Sequence, residues 1–260
     1  MLKILKYSFF DLMRSRWSYI YFFFYLILGY VLFFLNNDVS KAVITLLNII
    51  IVLTPLIGTI FGVMYYYSSR EFTELLLSQP LKRSTIFIGQ YLGVALSLSL
   101  SLVIGLGIPF VAYGVMRSAA IWDFTSLLVT GSFLTFIFVA LAYNIALSFN
   151  DKIKGFGFAI LMWLFMAVVY DGIIMLLMMK YQDYPLDKFA LGAMMFNPID
   201  LSRVLILLKL DISALLGYTG AVFQQFFGTS MGMVISMAVL SLWVLIPVWR
   251  IRRVAGKKDF

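Results

Sequence analysis

Six apolar runs divide this chain, each long enough to cross a membrane as one helix, and they leave little choice of fold. They are Trp17 to Leu35, Ala42 to Tyr67, Ser84 to about Met116, Phe124 to Phe149, Gly155 to Met179 and Thr229 to Trp249. At ~1.5 Å per helical residue, each covers the roughly 30 Å of hydrocarbon in a bilayer. Composition agrees, with 63% of residues hydrophobic, 12% charged and a mean hydropathy of +0.99, values foreign to a soluble domain. The expected fold is an all-α integral membrane protein with six transmembrane helices. No repeat or linker splits it, so residues 1–260 form a single domain.

The segments between the runs carry the rest of the information. In residues 1–16, Leu2, Leu5, Phe9, Leu12 and Met13 fall on one helical face and Lys3, Lys6 and Arg14 largely on the other, which predicts an interfacial helix. The first apolar run lacks a small-x-small cleavage pattern and is expected to remain as an anchor. Pro55 is expected to bend the second span, Gly105-Leu-Gly107-Ile-Pro109 to kink or break the third, and Ser84 to cap the third. In the polar, mixed region 180–228, Val204 to Leu208 and Ile212 to Phe223 are apolar but too short to span. They predict short helices on or above the outer face, between spans 5 and 6.

Residues 68–84 form the one charge-dense insert in the first half of the chain. Ser68-x-x-Glu71 has the form of a capping box, and Pro80 stops the helix that it starts after about three turns. Phe72, Leu75, Leu76 and Gln79 are predicted on one face, and Glu71, Glu74 and Ser78 on the other.

Lys and Arg outnumber Asp and Glu by 20 to 12, a formal charge of +8, yet the basic residues sit at the ends of apolar runs rather than in one patch. That pattern argues for topology and against nucleic-acid binding. The termini, residues 68–84 and the loop Asn150 to Lys154 together hold 14 of the 20 basic residues, which places them all in the cytoplasm. With no Cys and no His, thiolate and imidazole chemistry and metal sites built on those ligands are excluded. A Gly-x-x-x-x-Gly-Lys-Ser/Thr loop is also absent, so this chain brings no nucleotide site of that kind.

Leu53-Thr-Pro-Leu-Ile-Gly58, Arg70-Glu71-x-x-Glu74-Leu-Leu-Leu-Ser-Gln-Pro-Leu-Lys-Arg83 and Gly89-Gln-Tyr-Leu-Gly93 resemble the permease subunits of type-2 ABC transporters, and within them the NosY-type permeases of NosDFY systems. The Tyr170-Asp171 pair, Phe196-Asn-Pro-x-Asp-x-x-Arg203 and the basic tail extend the likeness over nearly the whole chain. The resemblance implies a multi-pass protein of the bacterial inner membrane, working as a homodimer. Each copy would bind a cytoplasmic NosF-like ATPase that holds ATP and Mg, with no cofactor in this chain, and would meet a periplasmic NosD-like protein in the maturation of nitrous oxide reductase copper sites. It also implies that residues 68–84 are the coupling helix, with Arg70, Glu71, Phe72, Glu74, Leu75, Gln79 and Pro80 as its coupling residues. Glu71 and Glu74 would face basic groups on the ATPase, Phe72 and Leu75 would fill its groove or the membrane edge, and the Pro80 bend would pass motion to the third span. The class usually has Gly-Thr where this chain has Glu71-Phe72.

Three further constellations stand out. Asp171 is the one ionisable residue well inside a span, a placement costing roughly 2.5–3.5 kcal/mol without a partner. It is read either as hydrogen-bonded to a Ser, Thr, Asn or Tyr on a neighbouring span or as serving the transport path or conformational switching. Met175, Met178 and Met179 suit Cu(I) but are also ordinary filler of apolar cores, the preferred reading. Asn197, Pro198, Asp200 and Arg203 read as a turn with local i, i+3 support, or as residues shaping the surface that meets the periplasmic partner. A gradient-driven carrier or channel remains as the alternative. It predicts paired intramembrane charges or an inverted repeat.

Overall fold

A computed structural model describes residues 1–35, 39–114, 121–181, 186–209 and 229–256, and among them every regular element is a helix. In chain order these are α1 (Leu2–Met13), α2 (Arg16–Leu35), α3 (Val39–Ser68), α4 (Arg70–Leu77), α5 (Arg83–Ala112), α6 (Ile121–Ser148), α7 (Lys152–Leu164) and α8 (Tyr170–Lys180). They are followed by α9 (Asp187–Met195), α10 (Pro198–Lys209) and α11 (Ser230–Ala255). A single π turn, Phe165–Val169, joins α7 to α8 into one span. The six spans expected from the sequence are α2, α3, α5, α6, α7–α8 and α11. An even number of crossings puts α1, α4 and the last turns of α11 at one end of the bundle.

Small residues set the seams. Gly58 and Gly62 of α3 lie against Phe138, Val139 and Ala142 of α6, and a Cβ added at Gly62 would stand 2.7 Å from that of Ala142. Such close backbone approach drives helix association where burial of apolar surface gives no advantage over lipid. The break expected at Gly105 to Pro109 is absent, because α5 runs through it to Ala112. Its residues serve contact instead: Gly105 abuts Phe22 and Tyr25, and Pro109 packs on Gly29, all in α2. Pro55 likewise sits inside a continuous α3, where the Thr59 hydroxyl donates to the Pro55 carbonyl at 2.8 Å. The third span is also not capped by Ser84, since its N-cap is Lys82 and lacks a side-chain cap.

Helix α1 packs along the first half of α5 through Ile4, Ser8 and Leu12, which are buried. Of the expected apolar face, Leu12 is buried and Leu5, Phe9 and Met13 are half-buried, while Leu2 is 77% exposed and the face is centred instead on Ile4, Ser8 and Leu12. The reason lies on α5: Gly89 and Gly93 accept the narrow ridge of Ile4 and Ser8 and leave no room for a bulkier stripe. A Cβ at Gly93 would meet Ser8 Cβ at 2.6 Å and α1 backbone at 3.0 Å. Gly93→Val is therefore expected to lift α1 and cost about 1–3 kcal/mol, read as a fall in the melting temperature of the detergent-purified protein. An unchanged melting temperature would show that α1 is not seated there.

Among the described residues two short helices lie between spans 5 and 6: α10 contains the expected Val204 to Leu208 stretch, α9 is not among those expected, and they enter the bundle rather than rest on it. Residues Phe189–Met195 and Pro198–Leu207 meet at 111°. Ile199, Leu201, Val204 and Ile206 are at most 1% exposed, packed among α3, α6 and α11. The connecting turn reaches mid-bundle, where Asn197 donates to the Met166 carbonyl at 2.8 Å and the Trp243 indole donates to the Met195 carbonyl at 3.1 Å. The Tyr170 hydroxyl donates to the Ala193 carbonyl at 2.7 Å. Carbonyls freed at the end of α9 are thus satisfied by side chains from two spans. The apolar segment Ile212 to Phe223 lies outside the described residues.

Candidate functional sites at the α4 end and inside the bundle

The first site is α4, whose eight residues make about two turns rather than three. The capping box does not form: α3 runs through Ser68, the N-cap is Ser69, and both hydroxyls donate back to the Tyr65 carbonyl, at 3.2 and 2.7 Å. Serines at the end of a long helix satisfy themselves on the preceding turn. What anchors α4 instead is its inner face. Thr73 is buried and accepts a 2.8 Å hydrogen bond from Nε2 of the fully buried Gln90 on α5, while donating to the Ser69 carbonyl. Phe72 stacks on Tyr7 of α1, with ring centroids 4.4 Å apart.

The outer face differs from the expected one. Leu75 is 68% exposed and Gln79 is exposed too, so both join Glu71, Glu74 and Ser78 rather than Phe72 and Leu76. The shift follows from Thr73, whose anchoring on Gln90 rotates α4 so that Phe72, Thr73, Leu76 and Leu77 point inward. Arg70 pairs with Glu74 at 3.0 Å, each about half exposed, a contact contributing at most a few tenths of a kcal/mol. Pro80, Leu81 and Lys82 are all exposed, so the direct contacts between α4 and α5 run through Thr73 and Gln90 and not through the bend. Tyr67, at the end of α3, adds a clasp to the next loop by donating to the Phe149 and Asp151 carbonyls at 2.8 and 3.2 Å. Asp151 in turn caps span 5, accepting from the Ile153 amide at 2.8 Å.

The second site is a charge cluster around the α9–α10 turn. Asp171 pairs with Arg203, Nη1 to Oδ2 at 2.9 Å, rather than with a neutral hydrogen-bond partner. The same guanidinium nitrogen lies 3.5 Å from Asp200 Oδ1, and Asn197 donates to Asp200 Oδ2 at 2.7 Å. One cation thus serves two carboxylates. Asn197 and Asp200 are 1% and 4% exposed and Pro198 is buried, so these residues face the interior and do not form an outer surface. The π turn explains the register: its extra residue frees the Met166 carbonyl for Asn197 and aims Tyr170 and Asp171 at the hairpin. Tyr170-Asp171 and Asn197 to Arg203 stand out separately in the sequence, and only the fold shows that they meet.

Asp171 remains 37% exposed, on a span that has no buried residue in its most apolar stretch, and Arg203 on α10 is 32% exposed. Met175 and Met179 are 65% and 62% exposed, whereas Met178 packs against the core, so the three thioethers do not share a face. Among the described residues no three His, Cys, Asp or Glu side chains gather as a metal site. Another polar contact between spans comes from Asn144, which did not stand out in the sequence and donates from α6 to the Pro247 carbonyl of α11 at 2.8 Å.

Comparison with known proteins gives a consistent picture. A family model described as ABC-2 family transporter protein matches residues 5–216. A probable ABC transporter permease protein NosY from Stutzerimonas stutzeri is 27% identical over 179 residues, 67% of this chain and 58% of the relative. The protein of the same description from Pseudomonas aeruginosa is 25% identical over 189 residues, 68% of this chain and 67% of the relative. The matched part therefore spans less than two thirds of the first relative's length.

Proposed function

The chain belongs to the ABC-2 family of transporter proteins, and on that premise we propose that it is a permease subunit driven by a separate ATPase. The observation that carries this reading is the two-sided α4: its inner face is locked to α1 and α5, and its outer face offers Glu71, Glu74 and Leu75 to a partner. ATP and Mg belong to that partner, and this chain performs no catalysis. The concentration of Lys and Arg at the α4 end supports a cytoplasmic position for it and for both termini, in the inner membrane of a bacterium.

A second copy of the chain completes the permease. An Asp–Arg pair that joins a span to the hairpin and is one third exposed costs several kcal/mol against lipid, and a partner face or an aqueous path between two copies removes that cost. The likeness to NosY-described proteins supports a NosF-like ATPase, a NosD-like periplasmic protein and work on nitrous oxide reductase copper sites, by export or by mechanical signalling. One observation favours the competing carrier: Asp171, Arg203 and Asp200 are the paired intramembrane charges that it predicts. Affinity purification from the native membrane separates the two. An ATPase and an exported protein are expected to accompany the permease, while a chain recovered alone and active under an ion gradient would reverse the assignment.

A further inference from the structure

We infer that the outward face of α1 seats the headgroup of an acidic phospholipid. The inward face is used up by Ile4, Ser8 and Leu12 on α5, and the opposite side bears Lys3, Lys6, Tyr7, Phe10, Asp11 and Arg14. Their spacing of i, i+3, i+4, i+7, i+8 and i+11 places them on one stripe. These six side chains surround an open hollow of about 640 Å³. Three cations face one carboxylate there, which favours an anion.

The rings decide which anion. Tyr7 and Phe10 are 49% and 46% exposed, Leu2 next to the stripe is 77% exposed, and Trp17 at the start of the first span is 59% exposed. Exposed apolar groups interleaved with cations fit the bilayer interface, where acyl chains cover the former and phosphates meet the latter. The acidic surface of a soluble partner would leave those rings wet. The position also has a consequence for α4. Tyr7 forms one wall of the hollow and stacks on Phe72, so an occupied seat bears on that helix, an effect that rests on the coupling role proposed above.

The test uses the permease with its ATPase in nanodiscs of phosphatidylcholine, with or without phosphatidylglycerol. Native mass spectrometry reads lipid retention, and ATP hydrolysis is assayed in parallel. The parent should retain phosphatidylglycerol, less so as ionic strength rises, and hydrolysis should increase severalfold with that lipid. The variant Lys3→Gln, Lys6→Gln, Arg14→Gln should lose both and still hold the ATPase. Retention at the parent level in the variant, or retention indifferent to salt, overturns the seat. So does a variant that sheds the ATPase while keeping the lipid, which would assign this face to the protein partner. Lost retention with undiminished stimulation upholds the seat and removes its link to α4. Because retention needs no ATPase, failure of the coupling role leaves that reading intact.

Discussion

Replacing Arg203 with Leu is expected to lower the melting temperature of the purified protein by on the order of 10 °C, and much of the protein should fail to accumulate. The residue is the only cation within 4 Å of Asp171 and Asp200 among the described residues. Removing it leaves two carboxylates in the bundle, one of them 4% exposed, and an orphaned buried charge typically costs 3–5 kcal/mol. With Arg203 and Asp171 each one third exposed, about 3 kcal/mol is the fitting figure, which gives the stated shift for a chain of this size. Adding Asp171→Asn and Asp200→Asn should restore most of the loss, since the surplus charge is then gone. Asp171→Asn alone should cost little, because Arg203 keeps Asp200 as its counter-ion. If Arg203→Leu melts like the parent, the cluster is not what ties the hairpin to span 5.

That cluster marks the boundary of what the sequence reveals. The spans were legible because each is a long apolar run between charged ends, and the observed limits differ by a few residues, as where α11 continues past Trp249 to Ala255 with its arginines on the helix. Asp171 stood out because a carboxylate in an apolar run is conspicuous, but its partner lies 32 residues away on a hairpin whose depth no local pattern encodes. Val204 to Leu208 looked too short to cross, and it does not cross. Its residues Val204 to Leu207 are buried because α3, α6 and α11 leave a slot for them, a property of three distant helices. On α4 the error was one of phase: over eight residues an apolar stripe is ambiguous, and a threonine held by Gln90 outweighed Leu75 in setting which side turns inward.

That inward anchoring leads to the second large effect. Glu71→Lys with Glu74→Lys is expected to weaken binding of the partner ATPase at least about 100-fold, because reversing two exposed charges sets like against like at the proposed interface. The fold should tolerate the change, for Glu71 and Glu74 are exposed and the Arg70–Glu74 pair contributes little. Binding measured on detergent-purified components reads the effect directly, and an ATPase that still binds and turns over normally would remove α4 from the interface. Gln90→Leu offers the complementary perturbation. It leaves the outer face of α4 untouched but takes away the hydrogen bond that joins Thr73 to the third span. Binding should then survive while ATP hydrolysis no longer drives transport. A receptor surface and a transmission contact on opposite sides of one two-turn helix are separable by these variants. If transmission ran instead through the exposed Pro80 to Lys82 link, Gln90→Leu would leave transport intact and a flexible Gly replacement of Pro80 would abolish it.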